Sequence, residues 1–497
     1  MGGQAPAAGS GGASTANAGA NGVAGSAGGS GGGVSSGGAG VAGASGDGSG
    51  GQTAPVVQAA PGTKPALTAQ TSFDGLAVGN PTDLSLAVGP SHIVQVVNWS
   101  MAVYSKTGVS MRGPITSNTP FAGAGGRCEA AGNDSAADRG DVLVRYDQLA
   151  QRWIFLQPVL QAPYAMCFAV SDGADPLGTY HHYEFARPLF PDYPRLGVWP
   201  DGYYVGSSTG DDVVQKTVCV ADRVRMLAGQ PATEKCFTKE KVNFLNPADI
   251  DGTTLPPAGA PNIVLALGGE QLSNSFEDDG VYAYKFHVDW TTPANSTFTG
   301  PTKIAVAPYH YLCNGQLSSC VTQPGTAVRL DAQGDKLMQR VSYRNFADHQ
   351  ALVVTHSING ANGGGGLRWY EFRINGSGDP VLHQQSTYSP DSSYRWLGSA
   401  AIDKNGAIGI GYSFGGAPQF VGQRFLARTA ADPLGVLTFQ ESILAAGQAA
   451  QTDTLRWEDY TTTVVDPSDD QTFWYVGNYL KTGSSKPATR IGAYRVP

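Results

Sequence analysis

The sequence predicts an all-β protein: a single β-propeller of about seven four-stranded blades behind a disordered N-terminal tail. Three observations predict it. A two-strand pattern returns along the chain, an alternating aromatic strand accompanies it, and the composition is poor in charge but rich in Gly and Tyr. Of 497 residues only 14% are charged, while Gly reaches 67 and Tyr 21. That balance suits short strands joined by tight turns.

The recurring pattern is a small or apolar strand, a polar turn, and a second apolar strand. It is read at Leu84–Asn98, Val142–Gln157, Leu196–Gly206, Asn262–Gly268, Tyr343–His356, Gly398–Ser413 and Tyr460–Asn478. The copies lie about 55 to 80 residues apart, the scale of propeller blades. The copy at Asn262–Gly268 is the shortest, so six or eight blades are the alternatives. Alternating aromatic strands follow at Met101–Tyr104, Tyr180–Phe185, Val281–Phe286, Trp369–Phe372 and Ile491–Val496. The sequence Asp-Pro-Leu-Gly occurs at Asp175–Gly178 and Asp432–Gly435, each suited to a turn between outer strands. Two or three unrelated β-sandwich domains would explain the strands but not their recurrence.

Residues 1–60 read as a disordered Gly/Ala/Ser-rich linker and residues 61–497 as the propeller domain. The linker cannot bury enough apolar surface to offset the entropy of ordering it. It resembles the spacer behind the lipid anchor of bacterial lipoproteins, without the anchoring cysteine, so a lipoprotein-type tether is one expectation. No apolar run reaches the ~18 residues that span a membrane. No apolar core of a signal peptide follows Met1, and the reading is an exported chain whose signal has been removed. A net charge of −8 and a pI near 5.5 lack the basic footprint of a nucleic-acid binder.

The six cysteines are Cys128, Cys167, Cys219, Cys236, Cys313 and Cys320, with no CxxC among them. Six cysteines allow 15 connectivities. Sequential pairing is expected because each pair then closes a local loop, with six buried free thiols as the alternative. Disulfides place the chain in an oxidising compartment, secreted or on the outer cell surface. A monomer is expected.

In a propeller the innermost strands line the axis, and the loops leading into them form one face. The residues just before the recurring pattern are unusually polar: Asp83, Asp141, Asp192, Tyr193, Arg195, Arg340, Arg344, Tyr394, Arg395, Arg456, Glu458 and Asp459. Charges of both signs gathered there must pair or bind something. The candidate catalytic set is Asp83, Asp141, Tyr193, His349, Glu458 and Asp459. The candidate substrate-binding set is Arg195, Arg344, Tyr394, Arg395, Trp396 and Arg456, with arginines clamping an anionic or polyhydroxylated ligand. The competing reading has each arginine tying one blade to the next. His349 stands out among the eight histidines because Arg344 and Asp348 share its segment.

HExxH and GxxxxGK[ST] are absent. No cofactor or metal is expected. The acidic runs Asp466–Asp470 and Glu277–Asp279 offer oxygen ligands for Ca²⁺, but neither matches an EF-hand loop.

The turns Ile402-Asp403-Lys404-Asn405-Gly406 and Trp199-Pro200-Asp201-Gly202 resemble degenerate Asp-box (BNR-like) repeats of sialidase-type propellers. The runs Asp192–Trp199, Arg456–Tyr460, Asp466–Asp470 and Phe473–Tyr475 are similar to bacterial secreted β-propeller proteins. The resemblance covers about residues 75–497, and no full S-x-D-x-G-x-T-W box is present. It implies a propeller in which Arg344, Arg395 and Arg456 imitate an arginine triad and Tyr193 or Tyr394 the nucleophilic tyrosine. The expected function is therefore glycan-directed and extracellular, as a glycoside hydrolase or polysaccharide lyase acting in the central pocket. A non-catalytic adhesin or scaffold is the first alternative, and a hydrolase of a non-glycan extracellular polymer the second. The enzyme reading requires the three arginines to face one open pocket.

Overall fold

Six of the seven copies supply the two inner strands of a four-stranded blade, and the copy at Asn262–Gly268 supplies a second strand alone. The computed structural model describes residues 56–77, 81–130, 140–208, 215–273, 275–315 and 319–497. Of the linker read at residues 1–60, residues 1–55 lie outside them, whereas Val57–Gln58 form a strand that pairs with the rim of the ring. Blade 1 runs Ser85–Val88, His92–Val97, Ser100–Ser105 and Ser110–Thr116 in spatial order. The inner strands of blades 2 to 7 are Leu143–Asp147, Asp192–Trp199, Asn246–Ile250, Val341–Asn345, Tyr394–Ile402 and Thr462–Val465. Each inner strand packs against the next, and the seventh against the first, which closes a ring of seven blades among the described residues. We call the face on which the inner strands begin the top, and the opposite face the bottom.

Blade 4 was the weakest copy in the sequence for a physical reason. Its inner strand, Asn-Pro-Ala-Asp-Ile, carries a proline and an aspartate and pairs with Asn262–Leu267 at only two positions. Beyond them it turns to pair in parallel with the inner strand of blade 5, Ala248 to Val341 and Ile250 to Tyr343. Both Asp-Pro-Leu-Gly sequences join the third and fourth strands of their blades, 2 and 6.

Blade 7 takes its outer strand from the other end of the chain. Thr71–Asp74 pairs antiparallel with the strand Ala488–Tyr494. Upstream, Val57–Gln58 adds in parallel to the outer strand Pro380–Tyr388 of blade 5. Lys64 then exchanges backbone hydrogen bonds with Thr438 and Gln440 of blade 6. Residues 57–74 thus lace the rims of blades 5, 6 and 7.

Neighbouring blades interlock through aromatic rings. Gly409 and Gly411 on the second strand of blade 6 lie against the rings of Phe473 and Tyr475, and a Cβ at either position would collide with them. Burying a ring of this size contributes roughly 1.5–3 kcal/mol. Disulfides join Cys128 to Cys167, Cys219 to Cys236 and Cys313 to Cys320, the sequential pairing expected. Among the described residues, no helix is long and apolar enough to cross a membrane.

Candidate functional site

Four blades enter the ring through the same backbone device. Asp83, Asp141, Tyr193 and Leu397 have φ of 42°, 62°, 51° and 52°; the first two stand just before their inner strands, and Tyr193 and Leu397 lie within the first half of theirs. A non-glycine residue in the left-handed region costs about 1–2 kcal/mol. Strain of this kind persists only where the surroundings hold it. Here the kink turns the side chains of Asp83 and Asp141 into a shared cluster.

Asp83 and Asp141 meet Asp459 of blade 7, with one oxygen of each within 4.8 Å of the other two. All three are buried. Asp83 accepts from Asn98 Nδ2 at 2.6 Å and from the Asp459 amide at 3.1 Å. Asp141 accepts from the Tyr193 amide at 3.1 Å and from Tyr460 Oη at 3.0 Å. Asp459 accepts from Gln333 Nε2 at 2.9 Å and from Arg456 Nη2 at 2.5 Å, while Tyr193 Oη donates to its carbonyl at 2.5 Å. Asp192, half-buried, hydrogen-bonds Asp141 and opens the cluster toward solvent. Arg456 does the same, with 31% of its side chain exposed.

Burial raises the Asp83 carboxyl well above the usual range, and the neighbouring Asp459 adds to it. Asp141 is raised well above for the same reason, with Asp192, Asp83 and Asp459 all pushing in that direction. Asp192 is raised by burial as well. Asp331, which pairs with Arg456 Nε at 3.0 Å, is pushed up to about 7 by burial and then by Asp459. Burial opposes the charge on Arg456, but Asp459, Asp331 and Asp83 outweigh it and hold the guanidinium protonated. The Tyr193 and Tyr460 phenols are held well above their ordinary value by burial.

One wall is cationic. Arg195 lies 4.2 Å over the Tyr193 ring, and Lys336 lies 5.2 Å from it. Lys336 is tied to Gln333 at 2.6 Å and Asp335 at 2.7 Å. Below the cluster the axis is filled. Arg340 grips Asp249 at 2.7 Å and Asp251 at 2.6 Å, and Arg145 reaches Asp249 at 3.3 Å and Gln339 at 3.1 Å. Beneath this network the axis narrows to a cavity of about 30 Å³. A ligand must therefore reach the carboxyls from the top face.

The structure brings together Asp83, Asp141, Tyr193, Arg195, Arg456 and Asp459. The other six predicted residues lie elsewhere. Arg344 is on the bottom face, bidentate to Asp470 at 2.6 and 2.7 Å, because it sits at the far end of its strand. Arg395 points away from the axis into blade 6, where it binds Asp391 at 2.9 Å and Glu441 at 2.8 Å. Tyr394 lies against Gly416 on the neighbouring strand, and Trp396 is fully buried with Trp457 in an apolar cluster. Glu458 turns into the blade 6–7 interior, where Ser413 Oγ donates to it at 2.6 Å. His349 occupies a bottom hairpin, paired with Asp348 at 2.8 Å. Arg344, Arg395 and Arg456 thus form no triad, since each is spent on acids of its own.

Sequence reasoning missed Asn98, Asp331, Gln333, Lys336 and Tyr460. The run Asp331–Lys336 does lead toward blade 5 and is strongly polar, which was the available signal. Asp83, Asp141 and Asp459 are the described residues whose oxygens could serve a hard cation. The run Asp466–Asp470 is taken up by its own turn, where Asp466 accepts from Ser468 and Trp474, and Asp469 from Gln471 and Thr472. Cys219 and Cys236, which with Glu234 form the other such group, are disulfide-bonded.

No family model matches the chain, and no curated protein matches it. Solved structures similar to it include extracellular domains 1–2 of Drosophila Semaphorin 1b, at 7% identity and a TM-score of 0.42, covering 87% of this chain and 88% of that one. The hemagglutinin-neuraminidase of parainfluenza virus 5 is similar at 8% identity and a TM-score of 0.36, covering 90% and 94%. An ulvan lyase is similar at 9% identity and a TM-score of 0.33, covering 66% and 75%. The seven-blade ring rests on the sheet order above, not on these likenesses.

Proposed function

We propose that the chain is an extracellular, glycan-directed propeller that performs acid–base chemistry on a sugar chain at the top-face cluster. The observation that carries this reading is the convergence of Asp83, Asp141 and Asp459 from three blades in a site sealed below and opened through Asp192 and Arg456. A general acid for glycosidic oxygen requires a carboxyl whose pKa is raised by burial and by neighbouring acids. Asp141 fills that role, with the Arg456-paired carboxylate of Asp459 beside it as base or nucleophile. Their oxygens lie closer than the roughly 6.5–9.5 Å that an inverting pair needs. The protonated Tyr460 hydroxyl donates to the Asp141 carboxyl, and the protonated Tyr193 hydroxyl to the Asp459 backbone carbonyl, which fixes both residues in place. The three disulfides fit an oxidising, extracellular setting.

The test is product release from a panel of anionic and neutral polysaccharides, read as reducing ends for hydrolysis and as unsaturated ends for elimination. Asp141→Asn is expected to lower turnover by about 100-fold or more while leaving the fold intact. No product from any polymer overturns the enzymatic reading. Binding to a glycan array without product supports a non-catalytic surface propeller instead. One observation favours that second reading: Arg344, Arg395 and Arg456 are all ion-paired, so these three arginines form no free clamp.

A further inference from the structure

The bottom face carries a second polar cleft, between blades 5 and 6. It is built from four turns. The hairpin after Val341–Asn345 supplies Phe346 and His349, and the adjoining ends of two outer strands supply Glu371, Arg373 and His383. The Asp403–Gly406 turn and the outer loop of blade 6 supply Lys404 and Arg428. The cavity is about 200 Å³, below the roughly 300–1,000 Å³ of sites for drug-sized ligands. It suits a single small ring.

The lining is cationic in a protein of net charge −8. Arg373, Arg428 and Lys404 stand against Asp348 and Glu371, with two imidazoles in reserve. The frame is rigid. Glu371 accepts from Arg373 Nε at 3.1 Å and from Gln384 Nε2 at 2.5 Å, while Arg428 donates to Gln384 and to the Asp432 carbonyl. His349 stacks on Phe346 with centroids 4.6 Å apart, which gives the cleft a flat aromatic wall. His383 is half-buried and takes no hydrogen bond from the described residues. The Arg373 terminus leaves N–H donors beyond the one bound to Glu371.

We infer that this cleft is a second ligand site, for a small anionic sugar held through its carboxylate or sulfate by Arg373 and His383. The Phe346–His349 wall lies under the ring, and Glu371 is placed to accept from hydroxyls. The inference does not depend on the reading of the top face. His383 is held below its ordinary pKa by burial, with Arg373, His349 and Arg428 acting in the same direction and Glu371 against it. A bound anion favours the protonated ring, so affinity rises as pH falls.

Titration calorimetry on the whole chain tests this with glucuronate, galactose 6-sulfate, glucose and inorganic sulfate. At least one of the two anionic sugars is expected to bind, more tightly at about pH 5.5 than at about pH 7.5, and the one that binds better identifies the oxyanion. Arg373→Gln and His383→Asn are each expected to weaken binding about tenfold or more, and Arg373→Gln to leave top-face turnover in place. The assignment is overturned if neither anionic sugar binds, if glucose or inorganic sulfate binds equally well, or if binding survives both substitutions. Should His383→Asn fail to fold, ring titration of His383 by NMR in the unaltered chain replaces it. An upward shift on adding the sugar acid supports the site, and an unchanged titration overturns it.

Discussion

Glu458 shows how position in the repeat and direction of the side chain part company. It stands one residue before Asp459, yet it is fully buried between blades 6 and 7, and one carboxyl oxygen has no hydrogen-bond partner. Burial pushes its pKa from 4.5 up to about 8. The folded chain therefore keeps a proton that the unfolded chain has released, and stability falls as pH rises from about 4.5 toward about 8. Glu458→Gln removes that dependence. Its gain in melting temperature over the unaltered chain should widen between those limits, and a gap that stays constant would show that Glu458 ionises freely in the fold. Arg395 is the matching cation. Its removal leaves Glu441 with Arg424 at 3.0 Å and Tyr412. Arg395→Ala is expected to cost about 3 kcal/mol in urea unfolding, and lost turnover with undiminished stability would return Arg395 to the site. The acids at the blade starts were legible because a repeat fixes where each inner strand begins. Their directions were not, because left-handed φ at Asp83, Asp141 and Leu397 and register shifts after Asp192 and Trp396 break the two-residue alternation.

The same limit holds for whole strands. Six inner strands read as apolar or alternating segments, whereas Asn246–Ile250 did not. It spends Asp249 on the axial ion network and Asn246 on the Leu265 carbonyl at 3.1 Å, and both choices hide a strand from hydrophobic periodicity. The N-terminal strand Thr71–Asp74 was equally hidden, because its partner lies at the opposite end of the chain. The disulfides were legible, since each spans neighbouring elements: a short helix with blade 2, the outer strands of blade 3, and a loop between blades 4 and 5. Their sequence separations of 39, 17 and 7 order their contributions. Chain entropy gives about 4, 3 and 2.4 kcal/mol respectively. Paired Cys→Ser variants at 128/167, 219/236 and 313/320 are therefore expected to lose stability in that order in denaturant titrations. The reverse order would locate the effect in local packing instead.

At the scale of the molecule, a ring held by non-covalent contacts is only as stable as its closure. Here one strand makes that closure. Four residues, Thr71 to Asp74, pair with Ala493 to Arg490. The ring of Phe73 meets Tyr104 of blade 1 at 5.2 Å, so the closing strand also holds the seam between blades 7 and 1. Asp74 adds Lys481 at 2.8 Å and Arg490 at 2.9 Å, and these pull its pKa down to about 2 against the effect of burial. Taking about 1 kcal/mol per ladder hydrogen bond and about 1 kcal/mol for the partly buried ring, the closing strand contributes about 5 kcal/mol. A chain beginning at residue 56 keeps the strand, and one beginning at residue 77 loses it and leaves Ala488–Tyr494 as an open edge. The longer chain is expected to unfold in one cooperative transition. The shorter should melt earlier, aggregate through the exposed edge, and regain its transition when a peptide spanning residues 65–76 is supplied as the missing strand. Equal melting of the two chains would mean that the contacts between the inner strands of blades 7 and 1 suffice to close the ring without it.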